Sequence, residues 1–251
     1  MDKTVPAGAA YLLNFIGNIE APRGYDTIYG NNQDKLPKSV TKMTLKEIQA
    51  AQSSWTKKFG SSATGRYQFM KNTLKELIDE LGLSLSQKLD ANLQDRLAYH
   101  LLRRRGYDAF VFGRIDHEEF AKRLAMEWAS LPVLKNTRGA HRNIVQGQSY
   151  YAGDGLNTSL VAPALVFTTL TKVRKLHEAN PAAPQVKPSK TGAVATVAAT
   201  AGAGAVAVAT EAPSITKGIT DAAEAVKPVG EALTGLAGVP GPLLIGLVVL
   251  V

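Results

Sequence analysis

The 251-residue chain has no cysteine. That excludes a disulfide scaffold, a thiolate zinc site and a cysteine nucleophile. Histidine is scarce: His100, His117, His141 and His177 include no close i, i+4 pair, so a His-rich metal site is not expected. No cofactor is expected either. Acidic residues are in deficit, 21 Asp+Glu against 29 Lys+Arg, a net charge of +8. Beyond residue 177 there are four basic and five acidic residues, so residues 1–177 carry a net +9 and the rest −1. A basic region of this size suits a polyanion: nucleic acid, an anionic membrane surface or an acidic polymer. No helical stretch interleaves Arg/Lys with aromatics and no known binding motif is present, which argues against nucleic acid. A signal peptide is also missing. Asn14 and Asn18 interrupt the apolar stretch Ala7–Ile19, no Ala-x-Ala site follows, and Met1-Asp2-Lys3 is not a basic lead.

The pattern that is present is helical. Tyr11, Leu12, Phe15, Ile16 and Ile19 recur at helical spacing, and Pro22 and Gly24 stop that helix just after Glu20. Residues 25–29 alternate weakly before Gly30-Asn31-Asn32, which predicts a short β-hairpin. Thr44 and Glu47 form a capping box opening a helix to about Lys58, and Gly60–Gly65 reads as a loop. The spacing predicts a helix over 70–81, with Leu74, Leu77, Ile78 and Leu81 on one face and Gly82 as its stop. Ser86 is the expected cap of the next, which presents Leu89, Leu93, Leu97 and Leu101 up to Gly106. Acidic residues at 116–119 open another, carrying Phe120, Leu124 and Trp128 inward towards Pro132. Residues 133–159 read as loop-rich, and Leu160–Leu176 as a closing helix that admits Pro163 in its first turn. The expected fold class is α+β, mainly α, with a small β-hairpin lobe.

Residues 178–191 form a Pro-rich linker and 192–231 a low-complexity Ala/Gly/Val segment. Residues 232–251 carry no charge and would span about 30 Å as a helix, a bilayer core's thickness, although Pro240 and Pro242 interrupt them. The readings are a membrane-active or membrane-anchoring tail, or a tail that is covered by a partner or disordered.

Glu20 is the first candidate for chemistry. It closes an apolar helix, at the negative end of the helix dipole and beside Ile16 and Ile19. Both influences favour the neutral acid, the form a glycosidic general acid requires. The competing reading is a surface glutamate at a frayed helix end.

The order of motifs resembles the lysozyme-like superfamily. Helix-Glu20 is followed by Gly24-Tyr25-Asp26 and then by Gly65-Arg66-Tyr67-Gln68-Phe69-Met70. Next come Gln94-Asp95 with Leu97-Ala98, Arg105-Gly106, and Trp128-Ala129-Ser130-Leu131-Pro132. The phage lambda lysozyme group, which are lytic transglycosylases, is similar to it, and Ser149–Asn157 resembles the closing segment of related phage muramidases. The resemblance covers roughly residues 8–176 and makes 1–177 a peptidoglycan-cleaving domain. It implies that Glu20 protonates the bond between N-acetylmuramic acid and N-acetylglucosamine. Glu20 then acts as base on the muramyl C6 hydroxyl, closing a 1,6-anhydro ring. A water-using muramidase would need a second carboxylate, for which Asp26 and Asp34 are nearest in sequence.

The substrate-binding candidates are Tyr25, Asp26, Tyr67, Gln68 and Tyr151. Gly65 would let backbone approach a sugar, Tyr67 would offer a stacking face, and the Gln68 amide both donates and accepts. Asp26 could instead orient the hairpin. Tyr150-Tyr151 could stack on sugars or anchor a loop, Trp128 fits core packing, and Gly153-Asp154-Gly155 fits a turn better than a calcium loop. Arg103-Arg104-Arg105 reads as a solvated helix end. The expected partner is the glycan strand of bacterial peptidoglycan. Without a leader, access to the wall would come through a holin-type hole, a virion or the tail. A virion ejection protein with accessory wall-cleaving activity is the reading from another class.

Overall fold

A computed structural model describes residues 1–180. The low-complexity segment and the apolar C-terminal run lie outside those residues, as does most of the linker. The described chain is mainly helical with one small two-stranded antiparallel sheet.

Helix α1 (Ala7–Glu20) buries Leu12, Leu13, Phe15, Ile16, Gly17 and Ile19. It packs on α4 (Ala91–Arg104) and on α7 (Pro163–Ala179), whose Val166, Leu170 and Val173 are buried. The remaining helices are α2 (Leu45–Phe59) and α3 (Lys71–Leu81), before α4 in the chain, and the short α5 (Tyr107–Val111) and α6 (His117–Glu127), after it.

Local chemistry sets most boundaries. In α2 the Thr44 hydroxyl accepts from the Glu47 amide while the Glu47 carboxylate accepts from the Thr44 amide, the reciprocal cap the sequence encodes. Helix α3 ends on Gly82 in the left-handed conformation, as expected, but Leu81 faces solvent. Helix α4 starts later than Ser86 implies. Asp90, not Ser86, accepts from the Leu93 amide, and Ser84 and Ser86 bond to each other. Helix α6 ends at Glu127, and Trp128 packs in the core just beyond it.

The hairpin expected at residues 25–32 does not form. Thr27–Tyr29 pairs instead with 63–65: the Gly65 amide donates to Thr27 O at 2.7 Å and the Tyr29 amide to Ala63 O at 3.2 Å. Gly30 and Asn31 both have positive φ, turning the chain into a 3-10 segment (Tyr29–Lys35) rather than back along itself. The two-stranded sheet lies in the stretch read as loop, β1 (Thr137–Arg138) against β2 (Asn143–Ile144).

Candidate active site

Glu20 is the last residue of α1, partly buried below an apolar face. Burial pushes its carboxyl from 4.5 up to about 7, opposed by one hydrogen bond, from the Ser130 hydroxyl to Oε1. Ser130 is itself buried. It lies in the turn that follows Trp128, closed by the Leu131 amide donating to Trp128 O at 3.0 Å; its own carbonyl accepts from the Leu160 amide at 2.8 Å, and Pro132 bridges to Ser149. The same segment is tied to the 65–69 turn, because Trp128 Nε1 donates to Tyr67 O at 3.3 Å. Three distant stretches of sequence therefore meet at the C-terminal end of α1.

Behind them is a polar knot around Asp95, which has no exposed surface. Its Oδ1 accepts from Tyr67 at 2.6 Å and Tyr25 at 2.9 Å. Its Oδ2 accepts from the Asp2 amide at 2.7 Å, with the Met1 ammonium 3.6 Å away. Burial, and then Asp95, raise both tyrosine hydroxyls above the usual phenol value, so both stay donors at neutral pH.

The structure separates the predicted substrate residues. Tyr67 is 1% exposed and set edge-on between Tyr25 and Phe69, so the expected stacking face is not available to a sugar. Tyr25 is half-buried, with the Arg66 guanidinium 5.1 Å from its ring centre. Gln68 is buried at φ 51, and its amide nitrogen donates to Gly65 O at 2.8 Å, closing its own turn. The recess beside Tyr67 and Gln68 measures about 10 Å³, room for a water at most. Gly65 does permit a close approach, but by Gln94: a Cβ there would sit 2.3 Å from Gln94 Oε1. That oxygen accepts from the Arg66 amide, while Nε2 donates to Tyr25 O and Leu89 O.

Asp26 accepts from the Thr41 amide at 2.8 Å and lines a polar recess of about 460 Å³ with Asp34, Lys38 and Lys42. Asp34 is paired with Arg23 at 3.0 Å. Tyr151 is anchored by its hydroxyl to Met126 O at 2.7 Å, and Tyr150 meets its ring edge-on. The Asp154 carboxylate caps its own turn, accepting from the amides of Leu156 and Asn157. Arg103, Arg104 and Arg105 are each ion-paired, to Asp108, Glu76 and Glu127 respectively.

The Endolysin family model matches residues 17–155, more than half of the chain. The chain belongs to the Endolysin family. No curated protein and no solved structure matches it. As an endolysin it is a phage enzyme that cleaves peptidoglycan, and the match takes in Glu20, the 65–69 turn, Ser130 and Tyr151. Among the described residues, no helix of this endolysin is long and apolar enough to cross a membrane.

Ser130 is the residue that sequence reasoning passes over. It was legible only as one letter of Trp-Ala-Ser-Leu-Pro, because the side chain that gives it meaning lies 110 positions away.

Proposed function

We propose that this endolysin cleaves the β-1,4 bond between N-acetylmuramic acid and N-acetylglucosamine as a lytic transglycosylase of the lambda lysozyme type, with Glu20 as its acid and base. The observation that carries this is the Glu20 carboxyl, withdrawn from water at the end of a buried helix and half-protonated near pH 7. Glu20 gives its proton to the glycosidic oxygen as the C1–O bond breaks. The resulting carboxylate takes the proton of the muramyl C6 hydroxyl, whose oxygen bonds to C1 and closes the 1,6-anhydro ring. Glu20 ends protonated, ready for the next bond, and one carboxyl suffices.

The partners of the other carboxylates support a single-acid reading. Asp26 is held by the Thr41 amide, Asp34 by Arg23, and Asp95 by two tyrosines. The glycan strand is the substrate in this reading.

Mass spectrometry of muropeptides released from purified sacculi tests the proposal. Wild type is expected to release anhydro-muramyl ends, and Glu20→Gln to release less by at least a factor of about 10². Reducing muramic acid ends would assign the enzyme to the hydrolytic muramidases. Undiminished release by the variant would overturn Glu20 itself.

A further inference from the structure

Ser130 and Glu20 form a contact that the general acid–base scheme does not require. The serine hydroxyl has one partner among the described residues, Glu20 Oε1, and Glu20 has one, Ser130. Among the described residues no Lys, Arg or His pairs with Glu20; burial and Ser130 are the two influences on its proton. Ser130 is 1% exposed and its backbone is fixed by Leu160 on one side and by the Trp128–Tyr67 link on the other. The hydroxyl therefore cannot swing to solvent without moving the segment.

A carboxylic acid has two oxygens and one proton, and only one oxygen is useful to a substrate. If the proton sits on Oε1, it is spent on Ser130. If Ser130 donates to Oε1, that oxygen is held as the carbonyl and the proton is confined to Oε2. We infer that Ser130 is a positioning residue: by donating to Glu20 Oε1 it directs the catalytic proton to Oε2, and it stabilises the carboxylate left after that proton is given to the glycosidic oxygen. This rests on the reading of Glu20 as the acid. A hydroxyl bonded to an ionised partner favours ionisation, so Ser130 also counteracts part of the burial and returns the acid to a range where it both gives and recovers a proton.

The test combines the pH dependence of kcat/KM on soluble glycan oligomers with the titration of the Glu20 carboxyl followed by carbon-13 NMR. For Ser130→Ala, the midpoint and the alkaline limb of the profile are expected to rise by about one pH unit, with kcat down about tenfold and KM changed less than about twofold. Ser130→Cys, a near-isosteric and weaker donor, is expected to shift both in the same direction by less, and it carries the test if the alanine variant does not fold. An unmoved titration and unmoved kcat in a folded Ser130 variant, with Glu20→Gln inactive, would overturn the role of Ser130 and leave Glu20 in place. Activity in Glu20→Gln would instead remove the reading on which the inference rests.

Discussion

The carboxyl groups of Asp95, which is fully buried, and Glu20, which is partly buried, differ in the number of donors around them. Asp95 accepts from two tyrosine hydroxyls and a backbone amide, with an ammonium group nearby, so its desolvation is offset by hydrogen bonds. Glu20 has a single hydroxyl and remains a raised acid. That makes Glu20 a cost to the fold. Its carboxyl ionises near 4.5 in the unfolded chain and near 7 in the native one, so the native state binds the extra proton between those values. Stability from this group is present below about 4.5 and is lost as pH rises towards 7, by on the order of 3 kcal/mol. Glu20→Gln cannot ionise. In urea titrations it is expected to match wild type near pH 4.5 and to exceed it by roughly 2–3 kcal/mol above pH 7.5. Equal stabilities at both pH values would show that Glu20 is not desolvated.

At the scale of elements, α1 is held in place by what its glycine lacks. A Cβ on Gly17 would lie 2.3 Å from Arg66 Nε and 2.8 Å from Arg66 Cγ. Arg66 lies across this gap, reaching Asn14 and Asn18 at 3.3 and 3.0 Å and covering the Tyr25 ring. Gly17→Ala improves helix propensity by about 1 kcal/mol but must displace that side chain. Urea denaturation is expected to show a net loss of about 1–2 kcal/mol, the opposite sign to an ordinary helical Gly→Ala exchange.

The same scale shows what was legible in the sequence. The capping box, the left-handed Gly82 stop, Leu74, Leu77 and Ile78 of α3 and Leu93, Leu97 and Leu101 of α4 are local signals and lie where the residues place them, whereas Leu81 does not. The hairpin was misplaced because residues 27–29 find their partner more than thirty positions on, at 63–65, which no local alternation encodes. The position of Glu20 at the end of an apolar helix is also a local signal, and α1 does end there. Tyr67 and Gln68 were recognised by motif but given the wrong neighbours: Asp95 holds the Tyr67 ring inside, and Gln94 occupies the space over Gly65 reserved for a sugar. Both partners lie on α4, outside the motif itself.

For the molecule as a whole, the dependence of α1 on α7 is the main constraint. Helix α7 lies beyond the part matched by the family, yet Val173 O comes within 2.9 Å of where a Cβ on Gly8 would stand, so the two backbones are nearly in contact. Val166, Leu170 and Val173 complete the core against α1. A chain ending at residue 180 retains every described contact and is expected to keep muropeptide release and a cooperative thermal transition. A chain ending at residue 162 is expected to lose both, read by near-ultraviolet circular dichroism and by sacculus digestion. Retained activity in the shorter chain would show that α7 is dispensable to the site.

This arrangement also sets an order of events during synthesis. Helix α1 leaves the ribosome before the other described helices, and α7, which packs on it, begins more than 140 residues after Glu20. Contacts so distant in sequence close late, after the intervening helices have formed. Until then the α1 face is wet and Glu20 is an ordinary ionised carboxylate, unable to donate a proton at neutral pH. On the proposed role of Glu20, the nascent endolysin acquires its acid only once the domain has closed on α1.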